Sequence, residues 1–195
     1  MARYHVRMTS SPASGKNLLT AEEFWELPES PEGGRMELVA GEVSAEMPVG
    51  ERHAALAAEL AALLLGFVKP RHLGRVYVEL GHRLFSAPDT IRAPDVSFVA
   101  RPGPIVERYV DVPPTLAVEI TSPDDRESDV ALKVEEYLDA GTERVWIVRP
   151  RNRTVTVHRP GSDSHTYGTR DALSSADAAF PVEGFELSLE QLFAE

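Results

Sequence analysis

The sequence predicts an α/β fold of the α+β kind, a central mixed β-sheet flanked by helices. Three observations predict it. Two segments, about 53–68 and 128–140, repeat apolar residues at helical spacing. Between and after them lie short runs rich in Val, Ile and Phe, bounded by Gly, Pro and Asp. The order is helix, hairpin, helix, strands, helix, strands.

Residues 1–17 are polar and read as a flexible tail before one domain over 18–195. Thr20-Ala21-Glu22-Glu23 is a capping-box pattern, so a short helix runs through Trp25 and stops before Pro28. ESPEGG, 29–34, is a turn. RMELVAGEVSAEM alternates as a hairpin, with strands 35–39 and 42–47 about Ala40-Gly41. In the first long helix, Leu56, Leu60, Leu63, Leu64 and Phe67 form the apolar stripe, and Pro70 marks its end. VYVELGHRLF, 76–85, reads as one strand, SAPDTIRA as a loop, and PDVSFVA, 94–100, as the next strand. A proline-rich connection leads to LAVEITS, another strand. The second long helix carries Val130, Val134, Tyr137 and Leu138 on its core side, and Gly141 suits its C-terminal cap. ERVWIVRP, 143–150, and TVTVHRP, 154–160, are strands; the last third predicts a short strand and a terminal helical turn.

Composition limits the chemistry. There is no cysteine, which excludes disulfides, zinc–thiolate sites and cysteine nucleophiles. The N-terminus has no apolar signal-peptide core, and the most apolar stretch, 60–68, is too short to span a bilayer. The expectation is a soluble cytoplasmic protein with no membrane partner. The net charge of −11 argues against generic tight binding to nucleic acid, which needs a basic surface. It leaves room for a site built from carboxylates around a bound cation. Ser97 and Ser122 have no matching histidine–acid arrangement, and no GxGxxG or Walker A pattern occurs.

Three polar residues interrupt apolar segments in the middle of the chain. Glu119 sits inside LAVEIT, Asp95 starts DVSFV, and Lys133 lies at the margin of the second helix's apolar stripe. A buried carboxylate is costly unless it is paired, hydrogen-bonded or bound to a metal. Strand alternation places Asp95, Ser97 and Val99 on one face; if the two strands are neighbours, Asp95 and Glu119 share a cleft. Two converging carboxylates suit Mg²⁺ or Mn²⁺, which take hard oxygen ligands and keep several waters. The Lys133 ammonium reaches such a cleft along a buried stem.

RMELVAGEV, His53, APDVSFV, LAVEITSPDD and ALKVEEYLDAGTERVWIV occur in an order that resembles the Uma-type putative restriction endonuclease family, a branch of the PD-(D/E)xK nuclease superfamily. The resemblance covers roughly 18–193. It implies a restriction-endonuclease-like fold and a metal-dependent DNA endonuclease, with Mg²⁺ or Mn²⁺ as cofactor, DNA as partner and a possible homodimer. It also assigns residues: Pro94-Asp95 supplies the PD, Glu119 the D/E, and Lys133 the lysine, while Glu37 matches the acid of the early ELxxGE motif as an accessory ligand. The superfamily's usual lysine position, two residues after the acid, is Thr121 here, a departure.

Plainer readings stand beside these. Asp95 also suits a turn before a strand. Lys133 also suits a solvated helix edge, paired with Glu136 or Tyr137. Glu37 fits an exposed strand position, His53 a satisfied helix-boundary histidine, and Glu59 a helix edge. A catalytically inactive nuclease-fold scaffold, or interaction protein, is the alternative function.

Overall fold

The computed structural model describes residues 18–28 and 33–194; the expected tail and most of the turn at 29–34 lie outside the described residues. α1 (Ala21–Trp25) starts at Thr20 with the full capping box: the Thr20 hydroxyl accepts from the Glu23 N–H, and the Glu23 carboxylate accepts from the Thr20 N–H. The hairpin follows as β1 (Met36–Val39) and β2 (Glu42–Ala45). Ala40 and Gly41, both at positive φ, form a two-residue turn whose twist matches the paired strands. A Cβ on Gly41 would lie 2.6 Å from Leu18 Cβ, so the turn admits no larger residue without a shift of Leu18.

α2 (Glu51–Val68) continues as a 3₁₀ turn through Arg71. Its 21 residues through Arg71, at mean hydropathy 1.3, are long and apolar enough by length and composition to cross a membrane, more than the 60–68 stretch alone suggests. In this fold Leu56, Leu60, Leu64 and Phe67 pack into the core, whereas Leu63 is exposed.

The single strand expected over 76–85 is two strands in different sheets, β3 (Arg75–Val78) and β4 (His82–Phe85). The chain breaks between them because Glu79 turns into the left-handed region, at φ 53°. The expected loop after it contains β5 (Thr90–Arg92), too short to show a period. β6 (Val96–Val99), β7 (Leu116–Ile120), α3 (Glu127–Asp139), β8 (Arg144–Arg149) and β9 (Thr154–Arg159) lie where the pattern puts them, within a few residues. α3 ends in a Schellman motif: Thr142 N–H reaches Tyr137 O, Gly141 N–H reaches Leu138 O, and Gly141 takes φ 101°. The last third holds more than one strand: β10 (Ser162–Tyr167), β11 (Ala172–Ser174) and β12 (Glu186–Ser188), then α4 (Leu189–Leu192).

The large sheet runs β10-β9-β8-β7-β6-β3 and is mixed, since β7 and β8 are parallel while the other pairs are antiparallel. Parallel neighbours need a crossover, and α3 supplies it. One face of this sheet, with Phe98, Val118, Trp146 and Val157, packs on α2 and the C-terminal segment. The other, with Ala117, Val145 and Ile147, packs on Val134 and Tyr137 of α3. A second sheet, β2-β1-β5-β4, has its own small core of Leu38, Ile91, Tyr109 and Ala21.

His82 joins the two sheets from full burial. Its Nδ1 lies 2.9 Å from the Val112 carbonyl, which can only accept, so Nδ1 carries the proton and Nε2 accepts from the Ser97 hydroxyl at 3.0 Å. Burial pushes this imidazole down to about 4. The unfolded chain therefore binds a proton here before the folded one does, and stability falls as pH drops through the window between the ordinary histidine value and 4. The expected loss is about 3 kcal/mol over that window. Denaturant midpoints measured from pH 7 to 4 should fall more steeply for the wild type than for His82→Gln.

Candidate active site

The polar face between the two sheets is assembled from strand registers. β6 and β7 pair Val96 with Val118, which brings Asp95, just before β6, opposite Glu119. The alternation that sends Val96 and Val118 into the core turns Asp95 and Glu119 the other way, toward α3. The hairpin register pairs Met36 with Ala45, so Arg35 and Glu46 lie opposite one another just beyond its end, with Glu46 N–H bonded to Arg35 O. Leu38 and Ile91 face the small core, so Glu37 and Arg92 face α3.

Every charge that meets there has a partner. Lys133 Nζ lies 2.9 Å from Glu46 Oε1, 3.3 Å from Glu119 Oε2 and 3.4 Å from Glu37 Oε2. Arg35 reaches Glu46 Oε2 at 2.6 Å and Asp95 Oδ1 at 3.2 Å. Arg92 reaches Glu37 at 2.8 Å and Glu136 at 2.6 Å. Asp95 Oδ2 accepts the Ile120 N–H at 2.7 Å, and His53 Nε2 is 3.1 Å from Asp95 Oδ1. The Tyr137 hydroxyl donates to Glu119 Oε1 at 2.8 Å. Glu37 Oε1 accepts the Ala93 N–H at 2.9 Å.

The electrostatics follow from burial against these partners. Burial would lower the Lys133 ammonium, but Glu119, Glu37 and Glu46 outweigh it and hold the group well above the usual lysine value. Burial would raise Glu46, but Lys133 and Arg35 bring it down to about 2. At Glu119 burial wins: it pushes the carboxyl up to about 7, with Asp95 and Glu37 pushing the same way against Lys133 and Arg35. Five carboxylates (Glu37, Glu46, Asp95, Glu119, Glu136) thus meet three permanent cations (Arg35, Arg92, Lys133), and Glu119 is the one that burial keeps only partly ionised near neutral pH. Among the described residues, no group of three or more His, Asp or Glu side chains is arranged to hold a metal ion.

The fold gathers all four residues singled out by the sequence, Asp95, Glu119, Lys133 and Glu37, into this one cluster. The exposed-strand reading of Glu37 fails, since the residue is buried. So does the solvated-edge reading of Lys133: Glu136 turns to Arg92 instead. His53 is more than a boundary residue, because it bonds Asp95 and its buried Nδ1 has no hydrogen-bond partner. Sequence reasoning missed Arg35, Glu46 and Arg92. The first two were recoverable, because a hairpin turning at 40–41 places 35 across from 46. Arg92 gave no such signal, since β5 itself was not visible.

A comparison with family models matches residues 21–191 to Uma2, described as "Putative restriction endonuclease". The chain belongs to the Uma2 family. Among solved structures, the Uma2 chain is similar to a putative nuclease of the DUF820 family from Anabaena variabilis ATCC 29413. That likeness has a TM-score of 0.73 and 27% identity, and covers 90% of this chain and 97% of that one. No curated protein matches. The family and the structural neighbour support a nuclease, and the neighbour shares the mixed α/β architecture around a large mixed sheet.

The charge network has a measurable stability consequence in this Uma2 chain. Removing one member of a buried ion pair leaves the other uncompensated. Arg92→Met strips Glu37 and Glu136 of their shared cation and is expected to destabilise the fold by about 3 kcal/mol in denaturant titrations. Adding Glu37→Gln should recover part of that loss, because the two residues are in contact.

Proposed function

We propose that the chain is a metal-dependent endonuclease that hydrolyses phosphodiester bonds in DNA. The observation that carries this reading is the pairing of Asp95 with Glu119: two carboxylates from neighbouring strands, facing the same side, beside a buried lysine. Their donor chemistry is two hard oxygen groups, in a cluster where five carboxylates meet three permanent cations. This fits Mg²⁺ or Mn²⁺, which need few protein ligands because they keep water and take substrate oxygens. Asp95 and Glu119 would hold the ion; when bound, it would lower the pKa of a coordinated water and polarise the phosphoryl group.

The remaining residues supply orientation and charge. The Ile120 N–H and His53 fix the Asp95 carboxylate, and the Tyr137 hydroxyl fixes Glu119. Lys133 would offset negative charge developing on the phosphate in the transition state. Glu37, whose two oxygens engage Ala93, Arg92 and Lys133, serves as a positioning residue for that ammonium rather than as a ligand. A chain of net charge −11 has no general attraction for DNA, so binding would depend on this local site and its cation.

One observation favours the second reading, an inactive scaffold: each site carboxylate already has a cation or N–H partner, so the network is satisfied without a metal. Calorimetric titration with Mn²⁺ separates the two. The nuclease reading expects binding to the wild type, loss of binding in both Asp95→Asn and Glu119→Gln, and nicking of plasmid DNA only when binding occurs. Lys133→Met should keep Mn²⁺ binding yet slow cleavage by about 10²-fold or more. A verified cleavage activity that survives both carboxylate substitutions would sink the assignment.

A further inference from the structure

Glu46 differs from the other carboxylates of the cluster in three ways. It lies just past β2, in the irregular segment that leads to α2, whereas Glu37 and Glu119 lie within strands. Its side chain is 24% exposed, against 1% for Glu37, 4% for Asp95 and 10% for Glu119. It also bridges two cations with separate oxygens, Oε2 on Arg35 at 2.6 Å and Oε1 on Lys133 at 2.9 Å.

That bridge has the shape of an anion site already filled by the protein. Two oxygens of one carboxylate stand between a guanidinium and an ammonium, as two non-bridging oxygens of a phosphodiester would. Arg and Lys are the side chains that bind phosphate oxygens, the first through its planar fork and the second as a point charge. The remaining partners of Arg35 and Lys133 lie deeper, on buried carboxylates. Glu46 is therefore the partner that can leave toward solvent while the others stay. The segment that would carry it has two exposed apolar residues, Met47 and Val49, and no buried one.

We propose that Glu46 is an internal phosphate mimic: it occupies the Arg35–Lys133 anion site at rest and is displaced by a backbone phosphate of the substrate. This deepens the nuclease reading and rests on it for the identity of the substrate, but not for the anion site itself. At rest the mimic keeps both cations neutralised, which suits a strongly acidic chain that has no use for unspecific contact with nucleic acid. On displacement, Arg35 and Lys133 bind the phosphate next to the Asp95–Glu119 pair.

The test measures binding without cleavage. A fluorescent duplex DNA oligonucleotide is titrated with wild type, Glu46→Gln and Glu46→Ala in EDTA, at several salt concentrations. Both variants are expected to bind roughly tenfold tighter, with a steeper salt dependence by about one phosphate contact. Their melting temperatures should fall, since two ion pairs are lost. A purely structural Glu46 would lower stability and leave affinity unchanged or weaker, and that result overturns the proposal. Glu136→Gln removes the same charge but bonds Arg92 rather than Arg35 or Lys133, so it should leave affinity within about twofold. Tightening in that control as well would assign the effect to net charge and also overturn the proposal. Inorganic phosphate titrated alone should show the same Glu46 dependence. If Glu46→Gln instead loses Mn²⁺ binding and gains no DNA affinity, Glu46 serves the metal and the proposal fails. Because the assay holds no metal, gain of affinity in a chain that never cleaves would uphold the anion site and reject the nuclease reading separately.

Discussion

The structure depends on one buried ammonium. Lys133 takes carboxylates from three places in the chain: Glu37 in β1, Glu46 after β2, and Glu119 in β7. The first two belong to the small sheet or its flank and the third to the large one. The apolar cores bridge this gap at β4, where Leu84 and Phe85 pack into the cluster under α3. One cluster lies between the large sheet, α2 and the C-terminal segment, one under α3, and one beneath the small sheet. Ion pairing joins β1, β5 and the hairpin flank to α3 beside the site. Buried ions cost several kcal/mol each to desolvate, and that cost is offset only where geometry supplies every partner. The relative placement of the sheets is thus tied to the same contacts that set the site's charge. A change that loosens one loosens the other.

Much of this was readable in the sequence, for a specific reason. Alternation in DVSFV and LAVEIT forces Asp95 and Glu119 off the core face, and helical spacing puts Lys133 at the edge of the α3 stripe. These are local geometric rules, and tertiary packing followed them. What escaped were features that local rules do not encode. The run 76–85 is continuous in composition, yet a left-handed Glu79 divides it between two sheets. β5 has three residues, so it offers no period, and with it Arg92 was lost. His53 was legible as a helix-start residue but not as Asp95's partner, because that contact spans residues whose proximity only the finished fold creates.

Glu119 stands apart from the other carboxylates of the cluster. In a network evolved only for stability, each buried carboxylate would be matched and held ionised, as Glu46 is. Glu119 is instead pushed up to about 7 by burial, which outweighs the lowering by Lys133 and Arg35. Burial is thus least compensated at the carboxylate opposite Asp95.

The departure at Thr121 fits the same geometry. By resemblance to the wider superfamily, a lysine is expected two residues after the acid, which in a strand means the same face as Glu119. Here the Thr121 hydroxyl caps the neighbouring strand through Val148 O at 3.3 Å, and the ammonium arrives from α3 instead. A side chain at 121 would point toward α3; a long side chain on α3 points back toward the strand. The ammonium from α3 ends within contact of the Glu119 carboxylate. What electrostatic stabilisation demands is the position of the charge relative to the developing oxyanion, not the element that carries it. Placing the lysine on α3 has a further effect. It lets the same ammonium contact Glu37 and Glu46 of the hairpin side, so the strand acid and the small sheet become parts of one electrostatic unit.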